Sequence, residues 1–409
     1  MKVLDTLLAL SEYLAVDSIA LHSDRCLNTR HKKAGCSMCA EICPADEAIT
    51  VTNGKPALNT EACLACGLCL HRCPSGAYTR PDPLPGKLVK TVAVLPSGPV
   101  DLLCPVHPTP EQGIVAQAVQ TKRCLAALAP ATLLELAASG REVWLDDTYC
   151  PQCPLGKVHA TLVQIVAEAN AWAITLNNSG TIRPCTRQNE SAPKTNRPVF
   201  EADKPPMSRR GLFKTLGQLK PQNPDEFETS SAPKPSSNRS VPVSRRLPHA
   251  VPRQRAKILA ILEQAAAGNE AQSSSSPEPI PAAENALLLA EVSVELSKCS
   301  ACELCVRFCP TEALTFLSDS ERFALSFRPR LCLGESCGIC IPACPEDAVT
   351  LKPAGVSADI LTRKQYLAAG ALTPCQKCGQ LLIAAGHGQP STCFVCRLSK
   401  TQSRLLASI

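Results

Sequence analysis

The sequence predicts an α+β chain in which small cysteine-laced modules stand on either side of an α/β domain. Three observations lead there: cysteine words that recur towards both ends, a central stretch in which apolar strands alternate with helices, and a Pro- and Ser-rich segment between them. The length, 409 residues, leaves room for about two to four domains. Cysteine is the compositional outlier, with 25 residues. An odd number cannot all pair within one chain, and so many thiols without a secretory signal point to metal in a reducing compartment rather than to a disulfide framework. Aromatic residues make up only 3%, too few for a surface that stacks bases or sugars.

Residues 1–17 read as an amphipathic helix. Their apolar run, Thr6–Leu10, is bracketed by Asp5 and Glu12 and is too short for an export signal. No stretch is long and apolar enough for a transmembrane helix, so a cytoplasmic location is expected.

The first module is placed at 18–86 and the second at 285–356. Cys63, Cys66, Cys69 and Cys73 form C-x2-C-x2-C-x3-C with Pro74 directly after, and Cys299, Cys302, Cys305 and Cys309 repeat the word with Pro310. Cys332, Cys337, Cys340 and Cys344 give it with a longer first gap and Pro345. Cys36, Cys39 and Cys43 with Pro44 are the last three letters of a fourth copy. Lys33 stands where its first cysteine belongs, and Cys26 is the nearest substitute. Three thiolates on a tight loop can reach three corners of a cuboidal [4Fe–4S] cluster, while the fourth cysteine faces away and ligates the neighbouring cluster. Zinc would need paired C-x2-C knuckles and does not explain the terminal Cys-Pro.

These words, CLACGLCLHRCPSGAY and CSACELCVRFCPTEAL above all, resemble those of bacterial-type two-cluster ferredoxins over about 18–80 and 292–352. The resemblance implies Cys63, Cys66, Cys69 and Cys43 for one cluster, and Cys299, Cys302, Cys305 and Cys344 for a second. It implies Cys332, Cys337, Cys340 and Cys309 for a third. A fourth would use Cys36, Cys39 and Cys73 with Cys26, across the insertion RCLNTRHKKAGC, which departs from the family pattern and leaves [3Fe–4S] or no cluster open. The count is therefore three to four. Edge strands are expected in SIALH and SVELS, with AITV and AVTL as the strands that return to them.

The middle domain, 87–186, reads as strands VKTVAVL, VDLLC and REVWLDD alternating with helices in GIVAQAVQ, ATLLELAASG and KVHATLVQIVAEANAW, a pattern for a parallel sheet. Cys104, Cys124, Cys150 and Cys153 fall at or just after strand ends, where such folds gather ligands, and could hold a [2Fe–2S] cluster or zinc. The order of VDLLC, KRCLAALAPATLLELAASG and REVWLDDTYCPQCPLG is similar to the delta subunit of methyl-viologen-reducing hydrogenase, although His107 stands where that family has a further cysteine. Cys185 receives no role.

Residues 187–284 read as a disordered basic linker. Of the net charge of +6, the segment 187–257 carries +9, which leaves −3 on the rest. Within it, Arg253–Gly268 has helical periodicity, and Ser208–Lys214 (SRRGLFK) resembles a twin-arginine signal but reads better as a short docking helix. Nucleic acid is not an expected partner, since no aromatics interleave the basic residues. At 357–409 a small zinc-ribbon-like unit is expected: Cys375 and Cys378, then Cys393 and Cys396, form two C-x2-C knuckles. A rubredoxin-like iron site shares that geometry.

No phosphate loop, dinucleotide fingerprint or nucleophile–base pair stands out, and His31 and His71 read as tuning residues beside the words. The clusters themselves are then the function. The expectation is an electron-transfer protein relaying single electrons, a subunit or partner of a larger oxidoreductase such as a hydrogenase, dehydrogenase or reductase, with no substrate of its own. The alternative is a redox-sensing or assembly factor that uses clusters and a zinc ribbon to engage protein or nucleic acid. A flexible linker would let the two modules reach different partners.

Overall fold

Every Cys-Pro step ends a short helix and sends the chain into a strand, and this recurs through both modules. The computed structural model describes residues 19–80, 84–153, 155–175, 182–184, 194–204, 247–269, 289–354, 362–383 and 391–397. The helix expected over 1–17, Cys185 and the Ser208–Lys214 segment lie outside them.

In the first module β1 (Ala20–Leu21) leads to helices α1 (Leu27–Arg30) and α2 (Met38–Glu41), then to strands β2 (Ile49–Thr52) and β3 (Lys55–Leu58). Helix α3 (Leu68–Arg72) and strand β4 (Tyr78–Thr79) complete it. β1 pairs antiparallel with β4, and β2 with β3. That hairpin turns at Asn53 and Gly54, both left-handed at φ 52° and 73°, the turn that matches the twist of its strands. AITV, expected to return to the edge strand, therefore builds the inner hairpin, and Tyr78–Thr79 makes the return. The cause is the repeat itself: the strand after the first word pairs with the strand before the second, and only the strand after the second word goes back.

The middle domain opens with α4 (Leu84–Val94) and continues through β5 (Val100–Leu103), β6 (Gln112–Gly113), β7 (Ala118–Gln120) and α5 (Pro130–Ala137). Then come β8 (Val143–Leu145), α6 (His159–Thr175), β9 (Ile182–Pro184), β10 (Thr195–Asn196) and β11 (Val199–Glu201). A five-stranded sheet, β11-β7-β5-β8-β9, is parallel throughout. Leu102, Leu103, Val143 and Leu145 of its strands are fully buried beneath Leu133, Leu134 and Ile165 of the helices. Near-continuous apolar runs are what a parallel sheet covered on its faces requires.

Two expectations are corrected here. VKTVAVL is helical, because Leu88, Val92 and Leu95 bury one face at helical spacing while Val94 stays 57% exposed. GIVAQAVQ is not a helix: its end forms β7, with Ala118 and Val119 fully buried between two parallel neighbours. Periodicity does not separate a short apolar strand from a helix, and in both cases burial decided.

The stretch read as linker from 187 contributes β10 and β11 to the middle domain. Arg197, between them, is wholly buried and pairs with the equally buried Asp101 of β5. Its guanidinium also donates to the carbonyls of Pro110 and Val115 and lies where a Cβ on Gly113 would stand, so this glycine is required.

Helix α7 (Arg253–Asn269) packs on α5, with Lys257 paired to Glu135, and reaches the second module through an Arg330–Glu263 pair at 2.5 Å. The second module runs β12 (Leu289–Val294), α8 (Leu304–Phe308), β13 (Leu314–Ser318), β14 (Arg322–Phe327), α9 (Cys340–Ala343) and β15 (Val349–Ala354). β12 pairs with β15 and β13 with β14, the arrangement of the first module. Strands β16 (Gln365–Pro374) and β17 (Leu381–Ile383) extend the inner hairpin to a four-stranded sheet, and the turn α10 (Phe394–Arg397) follows. The tail is thus continuous with the second module.

The modules do not stand apart. Leu27 of the first packs with Leu247 and with Phe308, Ile339 and Ala343 of the second, and His31 meets the Phe308 ring edge-on at 5.1 Å. On its other side the first module binds the middle domain through Arg72, which reaches Glu168 at 2.6 Å and Gln164 at 2.9 Å. Two independently roaming modules are therefore replaced by modules in apolar contact.

Removing Arg197 would leave Asp101 buried without its cation. Arg197→Ala is expected to cost about 3–5 kcal/mol. Both tryptophans, Trp144 and Trp172, lie in the middle domain, so an earlier urea transition in intrinsic fluorescence checks this.

Candidate metal centres

The tight loops of the cysteine words rest on left-handed backbone. Ala65 and Gly67 flank Cys66 at φ 47° and 84°, and Ala301 and Glu303 flank Cys302 at 53° and 62°. Gly334 and Gly338 serve the longer loop about Cys337. Holding non-glycine residues there costs roughly 1–2 kcal/mol each, and the result is that backbone N–H groups turn inward. Ala65 N donates to Cys63 Sγ at 3.4 Å, Gly334 N to Cys332 Sγ at 3.4 Å, Ala77 N to Cys73 Sγ at 3.3 Å and Ala348 N to Cys344 Sγ at 3.3 Å.

The sulfurs gather in groups of four. Cys43 joins Cys63, Cys66 and Cys69 around a small cavity whose other walls include Ile19, Ile49 and Leu68 (site A). Cys26 joins Cys36, Cys39 and Cys73 around another (site B). Cys309 interacts electrostatically with Cys332, Cys337 and Cys340 (site C). Cys344 joins Cys299, Cys302 and Cys305 around a third (site D). In each group one thiol comes from the other word of its module. Cys26 is held at site B because α1 starts directly after it, and Asn28 clips the insertion shut with bonds to both Cys36 N and Cys36 O, at 2.8 and 2.7 Å.

Burial pushes the thiols up, Cys66, Cys302 and Cys332 to about 11 and Cys340 to about 12. Buried all-sulfur donor sets with N–H groups aimed at them suit a thiolate-bound cluster, whose insertion would release the thiol protons.

In the middle domain Cys104 follows β5, Cys124 follows β7, and Cys150 and Cys153 follow β8, all at the C-terminal ends of parallel strands. Cys150 lies within electrostatic reach of Cys124, Cys104 and Cys153, and Cys124 within reach of Cys66 of site A. Burial holds Cys104 near 11 and Cys124 near 12. Behind them sit two carboxylate–imidazole pairs that sequence reading missed: His107 with Asp146 at 3.2 Å, and His159 with Asp147 at 2.7 Å. Although burial opposes it, hydrogen bonds from His107 and Thr148 pull Asp146 down to about 2. His107 is thereby committed to Asp146. The LDD run after a buried strand was the only signal available.

His71 is buried with Nε2 3.0 Å from Ala126 O, and burial lowers it to about 4, so it is a neutral donor at the contact with the middle domain. His31 accepts from Lys33 N through Nδ1.

In the tail, the four sulfurs of Cys375, Cys378, Cys393 and Cys396 lie within 4.8 Å of one another, with Cys378 and Cys393 at 3.6 Å. Tetrahedral thiolates on one ion would stand about 3.8 Å apart, given metal–sulfur bonds of about 2.3 Å. The geometry thus suits one metal ion rather than a cubane. Backbone N–H donation from Cys393 draws the Cys375 thiol down to about 6, a thiolate at neutral pH.

Gly67 stands at the seam with the middle domain, where an added Cβ would come within 3.0 Å of Ala127 Cβ at φ 84°. Gly67→Ala should lower the thermal midpoint. Gly86→Ala, in helix α4 with open space around it, should raise stability by about 0.5–1 kcal/mol. Differential scanning calorimetry of the two variants checks both signs.

Comparison with known proteins bears on one part of this arrangement. Residues 298–348 match the 4Fe-4S dicluster domain family. Over 62 residues the chain is 40% identical to an uncharacterised ferredoxin of Methanocaldococcus jannaschii, a match that covers 15% of this chain and 35% of that protein. The chain therefore spans about a third of the length of this relative. No described helix is long and apolar enough to cross a membrane. Residues 298–348 thus form a ferredoxin-type domain of the kind that carries [4Fe–4S] clusters.

Proposed function

We propose that the chain is an electron relay in which sites A, B, C and D each hold a [4Fe–4S] cluster, the middle-domain cysteines a [2Fe–2S] cluster, and the tail a zinc ion. The observation that carries this reading is adjacency. Cys124 of the middle domain neighbours Cys66 of site A, and Cys43 of site A neighbours Cys39 of site B. Cys36 of site B and Cys337 of site C pack on one apolar cluster, and Cys340 of site C neighbours Cys305 of site D. The five sulfur sets form one row through the molecule. When bound, an iron–sulfur cluster supplies reversible one-electron exchange.

The protein's own part is to hold the sulfurs, exclude water and keep the loops from rearranging when charge changes. Pro44, Pro74, Pro310 and Pro345 fix the chain directly after each exchanged cysteine, and the inward N–H groups stabilise the negative charge on the sulfurs. The partner would be a larger oxidoreductase, a hydrogenase, dehydrogenase or reductase, in a cytoplasmic setting. The tail's single-ion geometry and its continuity with β14 support a structural zinc that braces the outer face of the second module.

Anaerobically purified protein is expected to carry about sixteen iron in sites A to D, two more in the middle domain, and one zinc. Iron, acid-labile sulfide and zinc analysis checks this, and several zinc with little iron would overturn it. Cys302→Ala should remove about four iron and leave the zinc. Cys26→Ala should take iron from site B alone, seen by electron paramagnetic resonance as the loss or conversion of one signal.

A further inference from the structure

The insertion that separates Cys26 from Cys36 carries a cation into the neighbouring module. Arg30, the last residue of α1, is only 3% exposed. Its Nε and Nη1 have no hydrogen-bond partner, and no carboxylate lies within ion-pair distance among the described residues. The charges that reach it belong to Cys309 and Cys337 of site C, with Asp24 beyond them. A second arginine reaches the same site from helix α7. Arg255 of α7 is 7% exposed, gives Nη2 to Cys332 O at 2.8 Å and Nε to Arg330 O at 3.3 Å, and it too lacks a described carboxylate. Buried guanidinium groups without a counter-anion are costly. Both are explained if the counter-anion is the group that site C binds.

The other sites are charged differently. One buried guanidinium, that of Arg80, reaches Cys66 and Cys69 of site A, and it also donates to Ala65 O at 2.8 Å. The leading electrostatic neighbours of Cys26 and Cys36 in site B are other thiols. Beside Cys299 of site D stands the carboxylate of Glu346, which is already paired with Arg397, so no uncompensated buried cation faces that site among the described residues. A cubane on four thiolates bears two negative charges when oxidised and three when reduced, so a fixed buried cation favours the electron and a fixed anion opposes it.

Resting on the relay reading above, we infer that site C is the most easily reduced of the four, a central electron store set by Arg30 of the first module and Arg255 of the linker helix. Electrons that enter from the middle domain or from site D would settle there before leaving. The insertion is then a bridge that tunes the neighbouring module's cluster as well as a spacer to Cys26.

The test is an anaerobic redox titration of the full chain followed by electron paramagnetic resonance, with iron quantified in every sample. Cys337→Ala should abolish the first signal to appear on reduction. Arg30→Met and Arg255→Met should each shift that cluster's reduction equilibrium at least tenfold towards the oxidised form, about 59 mV for one electron, and leave the other midpoints in place. Arg30→Lys, which keeps the charge, should restore most of the shift, whereas a purely packing role would not be rescued. Unmoved midpoints in Arg30→Met and Arg255→Met at full iron content would overturn the inference and leave the relay standing. So would a first-reduced signal that survives Cys337→Ala. If Arg30→Met sheds iron, Arg255→Met against Arg30→Lys decides. A wild-type chain without iron would overturn the relay reading itself.

Discussion

Each cysteine word leaves one thiol on the wrong side of its own loop, and the structure depends on the exchange that follows. Cys43 crosses to Cys63, Cys66 and Cys69, and Cys73 crosses back to Cys26, Cys36 and Cys39. In the second module Cys344 and Cys309 make the same trade. In the first module the closing strands β1 and β4 are only two residues long and supply little ladder energy of their own. What holds the two halves together is the demand that eight sulfurs meet in two groups. The αL residues, the prolines and the inward N–H groups all serve that demand. Burial also raises these thiols, so cluster insertion at them, on the proposed reading, would be linked to release of protons.

The resemblance to two-cluster ferredoxins implied the pairing, and the structure brings the same thiols together at sites A, B and D. A cysteine word's proline and its distance to the next word mark where the chain turns, and they limit which thiols can meet. The tail knuckles were readable for the same reason. Sequence fell short where only burial discriminates. VKTVAVL and GIVAQAVQ have similar composition, yet one covers a sheet and the other ends in it, because Ala118 and Val119 find parallel neighbours on both sides. Nor does a basic, proline-rich stretch announce that Arg197 will be drawn into the core, since its anion, Asp101, lies 96 residues earlier. Contact between the two modules was invisible for a related reason: Leu27, Phe308 and Ile339 each belong to a word, and nothing local says that they also face one another.

The electrostatics of the molecule are concentrated at its seams. Arg72 with Glu168, Lys257 with Glu135, and Arg330 with Glu263 tie bodies that are far apart in sequence. Arg397 of the tail pairs with Glu346 of the second module. The more exposed of these pairs, such as Arg330 with Glu263, contribute little stability, roughly 0–1 kcal/mol each. Their value lies in fixing orientation, and orientation decides which sulfur set lies next to which. Apolar contact sets the distance between modules and paired charge sets the angle.

The position of Leu27 and Arg30 has a consequence for how the chain matures. Residues 18–80 contain every sulfur that sites A and B need, so the first module can close as soon as it has been synthesised. The surface that buries Leu27 includes Phe308 and Ile339, and the thiols in electrostatic reach of Arg30 are Cys309 and Cys337, all of which a ribosome delivers some 280 residues later. Through that interval the young protein presents an apolar side chain and an uncovered guanidinium side by side. Such a patch is an address that a maturation factor could read, and it vanishes when the second half arrives. Docking of the modules would thus mark a finished molecule, and a half-built one would remain chemically distinguishable from it.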